Sequence, residues 1–156
     1  LKKAKSFAQF MESEKKGTII NITSLATLYP LPYMSLYNAC KSALSSFTQS
    51  MMLEYKTLKW IDFRLGDIRT SFNKSAPKQA EESQTDSMKR AWRQIEKQLN
   101  ESPLPQVAAK QILRSLKKGR VGTIYGGGFF QAHLAPFFYR FLQNKLLYKI
   151  LIHRYS

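Results

Sequence analysis

Two residues four positions apart invite a chemical reading first: Tyr37 and Lys41, separated by Asn38-Ala39-Cys40. On a helix such residues share a face, so a phenol and an ammonium would stand side by side. A phenol titrates near 10 and is a weak acid at neutral pH. A neighbouring cation favours the phenolate, which makes the proton easier to give up. A side chain that gives or takes a proton during a reaction needs that behaviour. The spacing alone is weak evidence, because 8 Tyr and 17 Lys in 156 residues give about one such pair by chance, and Tyr55 with Lys59 is a second. Context separates the two pairs. Tyr37 follows a loop holding Pro30 and Pro32, the loop follows a β-branched apolar run, and Ser24 lies at the carboxyl end of that run, thirteen residues before Tyr37. Ligands of open α/β sheets gather at the carboxyl ends of strands. Tyr55 and Lys59 straddle the end of the expected helix and read as surface residues.

The elements that must position these groups can be read around them. Gly17 opens Thr18-Ile19-Ile20-Asn21-Ile22, apolar on nearly every position, as a strand buried on both faces would be. Residues 35 to about 56 contain no Gly or Pro. Their stripe of Ala39, Ala43, Leu44, Phe47, Ser50 and Met51 predicts a long helix packed on a sheet. Trp60 to Leu65 reads as a second strand, closed by Gly66. Ahead of the first strand, Ala4, Phe7, Ala8 and Met11 mark an amphipathic helix over 2–15. Residues 73–105 are polar and charged, with a helix around 87–99 carrying Met88, Trp92 and Ile95. Pro103-Leu104-Pro105 starts a helix over 106–118, and 121–125 is a third strand broken by Gly126-Gly127-Gly128. The alternation predicts an α/β fold with a parallel sheet of about three strands and flanking helices. The strand at 60–65 is expected to pair with both others, leaving the outer edge of the first strand unpaired.

Composition narrows the function. The length suits one domain, and 44% hydrophobic residues suffice for a core. A lone cysteine, Cys40, excludes an internal disulfide and an all-Cys metal site and suits a reducing, cytoplasmic setting. No metal site is expected. The net charge is +15, the last acidic residue is Glu101, and nine basic residues follow it. This invites an anionic membrane or a phosphate, although plain solubility explains it as well. The aromatic residues sit among Leu and Ile, not among spaced Arg and Gly, which argues against nucleic acid. The uncharged stretch 121–139 holds four glycines and Pro136 and is no transmembrane helix. Residues 134–155 predict a helix started by Pro136 and lying on a membrane surface, its Phe137, Phe138, Phe141 and Leu142 interrupted by Arg140, Lys145, Lys149 and Arg154. Packing of this tail on the core or on a second subunit is the competing expectation.

Three segments, Gly17-Thr-Ile-Ile-Asn-Ile-Thr-Ser24, Tyr37-Asn-Ala-Cys-Lys41 and Leu65-Gly66-Asp67-Ile68-Arg69-Thr70, stand in the order and spacing that resemble the short-chain dehydrogenase/reductase family. The resemblance implies the C-terminal part of a Rossmann-type doubly wound sheet over 1–128, with a substrate-lid segment at about 73–105 and a basic aromatic extension at 129–156. It implies an oxidoreductase using NAD or NADP on a small carbonyl or alcohol, with Tyr37 as general acid and base. Lys41 would be its electrostatic partner and a ligand of the ribose, and Ser24 would hold the substrate oxygen. Ile68, through its backbone, and Thr70 would meet the nicotinamide. Met88, Trp92 and Ile95 in the lid hint at an apolar substrate, and a homo-oligomer is a further expectation. Leu65 and Cys40 depart from the family's usual proline and serine. The glycine-rich first strand-turn-helix is absent, and Gly126-Gly127-Gly128 is no substitute. The chain therefore reads as truncated at its N-terminus and as inactive alone. The alternative is a non-catalytic, membrane-peripheral or anion-binding module that keeps a relic of the fold.

Overall fold

A computed structural model describes residues 1–71 and 84–156. Helix α1 (Lys2–Ser13) leads into strand β1 (Thr18–Ser24), a 3-10 turn (Leu25–Thr27) and the long helix α2 (Ser35–Glu54). Strand β2 (Lys59–Leu65) is followed by α3 (Asp86–Glu101), α4 (Pro105–Lys117) and β3 (Gly122–Gly126). A π-helical turn (Phe130–Leu134), α5 (Ala135–Tyr139) and α6 (Asn144–Tyr155) form the tail. The strands make one parallel sheet in the order β1-β2-β3, with Ser24 paired to Leu65 and Leu65 to Gly126. This is the α/β arrangement expected, with the middle strand paired on both sides. Among the described residues β1 has no partner on its outer edge. Part of the expected lid falls in 72–83, outside the described residues.

Strand β2 is buried on both faces because its side chains alternate between two cores. Trp60 packs with Ala8, Met51 and Leu58 on one side, and Met11 and Phe47 close over them. Ile61 and Phe63 pack with Ile124 on the other, covered by Ile112 of α4. Each large side chain so buried contributes roughly 1.5–3 kcal/mol. Helix α3 starts at Thr85, whose hydroxyl accepts from the Met88 N–H at 3.3 Å, and α4 starts on Pro105, where a missing N–H costs nothing.

Half of the expected α2 stripe faces the sheet, with Met51 buried and Leu44 and Phe47 half-buried. Ala39, Ala43 and Ser50 are exposed, and the buried positions are Ser45, Thr48 and Met51. The cause is polar: Ser45 Oγ donates to Asp62 Oδ2 at 2.7 Å, and Thr48 Oγ1 accepts from Asn21 Nδ2 at 2.8 Å. Small hydroxyls are buried there because the strands beneath carry a carboxylate and an amide. On α1, Phe7 is likewise exposed, and Ala8 is the buried residue.

The single helix expected over 134–155 is broken. It ends at Tyr139, turns through Arg140 to Gln143, and restarts as α6. Leu142 N–H bonds back to Phe138 O at 3.2 Å, and the extended Gln143 (ψ 144°) redirects the chain. The turn folds α6 back so that Leu147 is buried and Leu151 and Tyr155 line a cavity. This half of the tail packs against α3 of the same chain. Among the described residues, no helix is long and apolar enough to cross a membrane.

Candidate active site

Ser24 closes β1, and the sheet delivers it to the carboxyl end of all three strands. Its Oγ accepts the Ala26 N–H at 3.1 Å, and Thr27 Oγ1 donates to its carbonyl at 2.8 Å, so the residue caps the 3-10 turn. A hydroxyl that accepts in this way keeps its own proton to donate. Ser24 also lines a cavity of about 410 Å³ at this end of the sheet.

Tyr37 stands in the first turn of α2 and Lys41 one turn later. Lys41 Nζ lies 5.8 Å from the Tyr37 ring centroid and donates to the Ile22 carbonyl at 2.9 Å. Ile22 is two residues before Ser24, so the ammonium ties the Tyr37 turn of α2 to the end of β1. Burial pushes the Lys41 pKa below its ordinary 10.5. Asn38 fixes the start of the helix against the proline loop, donating from Nδ2 to Leu31 O at 2.8 Å and accepting from Leu31 N at 3.3 Å. The structure thus brings Lys41 both to the Tyr37 ring and to the Ile22 carbonyl of β1, while Ser24 alone of the three lines the cavity.

After β2, Gly66 N–H donates to Gly126 O at 2.9 Å and Arg69 N–H to Pro103 O at 2.9 Å. Ile68 is buried between these ties, and Thr70 is exposed. The loop and the glycine turn after β3 touch closely. A Cβ on Gly127 (φ +113°) would lie 3.3 Å from the Gly66 backbone, so this contact requires glycine. Helical residues do follow the glycines, but one donor of the turn, the Gly127 N–H, is already used. Gln111 holds both the Gly127 N–H (2.9 Å) and its carbonyl (3.0 Å), and Gln131 holds the Asp67 N–H (3.0 Å) and carboxylate (2.6 Å). A phosphate cradle needs those N–H groups open.

Several residues here escaped the sequence reading. Tyr29 lines the cavity, donates to Ala135 O at 2.7 Å and meets Tyr139 edge-on at 5.6 Å. Burial raises its pKa, helped by the neighbouring Tyr139 and Tyr125 phenols. Nothing local in the sequence singles it out. Asp62 had a readable signal, a lone acid inside an apolar strand. Among the described residues no cluster could hold a metal ion, and Cys40 is exposed.

A model of the short chain dehydrogenase family matches residues 1–81, the segment that carries Ser24, Tyr37, Lys41 and the loop after β2. The chain belongs to the short chain dehydrogenase family. Among short chain dehydrogenases and related reductases it is similar to mouse 17-beta-hydroxysteroid dehydrogenase type 3, with 46% identity over 46 residues, 30% of this chain and 15% of that protein. It is similar to 3-ketodihydrosphingosine reductase of Bacteroides thetaiotaomicron, with 30% identity over 100 residues, 60% of this chain and 37% of the other. The fold matches an alcohol dehydrogenase of Thermococcus sibiricus, solved in complex with 5-hydroxy-NADP. There the TM-score is 0.58 at 20% identity, over 81% of this chain and 48% of that one. The chain thus spans about half the length of that solved alcohol dehydrogenase and less of the two relatives.

Proposed function

We propose that these residues form the proton-transfer half of an NAD(P)-dependent oxidoreductase that interconverts a carbonyl and a secondary alcohol on an apolar small molecule. One observation carries the reading: the Lys41 ammonium is held between the Ile22 carbonyl and the Tyr37 ring, two residues before Ser24 at the cavity wall. In reduction, Ser24 O–H donates to the substrate oxygen and orients the carbonyl. As the carbon accepts hydride, the C=O π pair moves onto oxygen, and Tyr37 gives that oxygen its phenolic proton. The adjacent ammonium lowers the cost of the phenolate left behind, and solvent returns the proton. Oxidation runs the same steps backwards, with Tyr37 as base.

The donors present fit the nicotinamide end of such a cofactor. Lys41 has ammonium N–H groups beyond the one given to Ile22, suited to ribose hydroxyls, and Thr70 is exposed beyond the carboxyl end of β2. When bound there, the reduced cofactor supplies the hydride. The Gly127 N–H is given to Gln111 and so is not open to a pyrophosphate, and turnover is assigned to protein that also carries the family's glycine-rich half. The relatives are named for hydroxysteroid and ketodihydrosphingosine chemistry, and the mostly apolar cavity wall is consistent with molecules of that polarity. The non-catalytic alternative gains nothing from these names. The test is NAD(P)H oxidation driven by apolar ketones: Tyr37→Phe should lower turnover by about 10² or more, and unchanged turnover would remove Tyr37 from the reaction.

One observation favours membrane contact through 134–155 as a second, compatible reading. Phe137, Phe138 and Phe141 form an exposed aromatic cluster, with ring centroids 5.2 and 5.7 Å from Phe137. They lie in the segment whose charges are all basic. Flotation with anionic vesicles should be lost when the three are changed to Ser; no flotation of the unaltered chain rejects this reading.

A further inference from the structure

A second hollow lies behind the first. It is a groove of about 480 Å³ lined by Pro30, Pro32, Tyr33, Tyr148 and Ile152, with Ser87 and Arg90 at its polar side. Both hollows fall in the size range of ligand pockets, roughly 300–1,000 Å³. Three residues, Leu31, Leu151 and Tyr155, line both. The partition between them is therefore about one side chain thick. Two of its three members belong to α6, the helix that the break at Arg140–Gln143 folds back over the sheet end. Leu31 is the third, its backbone held from both sides by Asn38. On the Ser24 side Leu25, Leu65, Phe138, Leu142 and Ile150 make most of the wall apolar, while Asp67, Gln98, Gln131 and Arg154 supply its polar positions.

We infer that the two hollows are one track for an unbranched hydrocarbon chain, whose carbonyl lies at Ser24 and whose far methylenes pass Leu31, Leu151 and Tyr155 into the outer groove. The inference rests on the proposed reaction for the position of the carbonyl, and on the shared wall for the shape of the substrate. A compact ketone would fill the inner cavity alone. An extended chain uses both hollows, and only side-chain rotations at Leu151 and Tyr155, both half-buried, need open the passage. Packing α6 against α3 thereby gives the tail a specificity role: it supplies the far half of the binding site.

The test is binding, which needs neither cofactor nor turnover. A fluorescent conjugated-tetraene fatty acid is bound to the full chain and displaced by methyl ketones of six, ten and sixteen carbons. Affinity should rise about fourfold per methylene while chain is still being buried, and continue to rise between ten and sixteen carbons. Leu151→Trp, which plugs the passage, should leave the six-carbon ketone unchanged and abolish the gain between ten and sixteen. Ser87→Trp fills the outer groove from an exposed position, spares the core, and should give the same result should Leu151→Trp fail to fold. The track is overturned if the probe does not bind, if affinity stops rising at ten carbons in the unaltered chain, or if Ser87→Trp binds the sixteen-carbon ketone as tightly as the parent. A binding gradient without turnover would sink the proposed reaction and leave the track standing. Turnover of short ketones without a gradient would do the reverse.

Discussion

Asp62 and Lys41 are both charges drawn into the protein, and they are held in opposite ways. Asp62 lies in the central strand, is 0% exposed, and has every partner inside: Thr23 Oγ1 at 2.5 Å, Ser45 Oγ at 2.7 Å and Arg64 Nε at 2.9 Å. Arg64 reaches on to Ser45 Oγ at 2.9 Å, so two strands and α2 share one ionic knot. Lys41 sits on the same helix one turn before Ser45, half-buried, with a backbone carbonyl on one side and a phenol face on the other. The first charge is fully compensated within the fold, so removing it exposes the cost of its partner. The second is half-buried, with burial lowering its pKa, and lies beside the Tyr37 ring near the carboxyl end of β1. The two charges differ in the completeness of their partners, and the proposed part of Lys41 in proton transfer rests on that difference.

The largest test of this contrast is Asp62→Ala. It strands the Arg64 guanidinium, whose side chain is 11% exposed, and should cost about 3–5 kcal/mol, read as a shift in denaturant midpoint. A loss under about 1 kcal/mol would mean the knot is not structural. Lys41→Met should do the opposite, lowering turnover about 10- to 100-fold, within the range of general acid catalysis, while moving neutral-pH stability by less than about 1 kcal/mol. Its pH signature has a definite sign. Because the folded pKa is lowered, the Lys41 contribution is fully present above 10.5 and is lost as pH falls through the folded value. The stability of the parent relative to Lys41→Met should therefore rise with pH across that window, and a flat difference would contradict the burial of the ammonium. The smallest effect is at Tyr29→Phe, which removes the bond to Ala135 O for about 1 kcal/mol. Here the folded pKa is raised, so the Tyr29 contribution is full below 10 and lost as pH rises from 10 through the folded value. Thermal melts of the two proteins from pH 8 upward should converge at the alkaline end.

The elements were legible because their signals are local. Gly17 and Gly66 bracket the two strand runs, and Pro105 starts α4 where a helix was expected. Strand β3 begins at Gly122, one residue later than predicted, on a positive φ that glycine permits. The errors arose where distant residues decide. The buried face of α2 is chosen by Asn21 and Asp62 on the strands, which an apolar periodicity cannot register. The tail breaks at Arg140–Gln143 without Gly or Pro because Leu142 turns into the cavity. Tyr29 owes its place to a carbonyl 106 residues away. In the site, the Tyr37–Lys41 spacing and the position of Ser24 at the end of β1 could be read directly, whereas the Ile22 carbonyl that receives Lys41 could not.

The most direct test pairs two readings on one variant: hydride-transfer rate and melting temperature of Tyr37→Phe, in protein that carries the nucleotide-binding half. The rate should fall by about 10² or more with the melting temperature held within about 2 °C, a change of no more than about 1 kcal/mol. A variant that keeps its rate, or one whose rate falls only in step with its stability, would contradict the assignment of proton transfer to Tyr37.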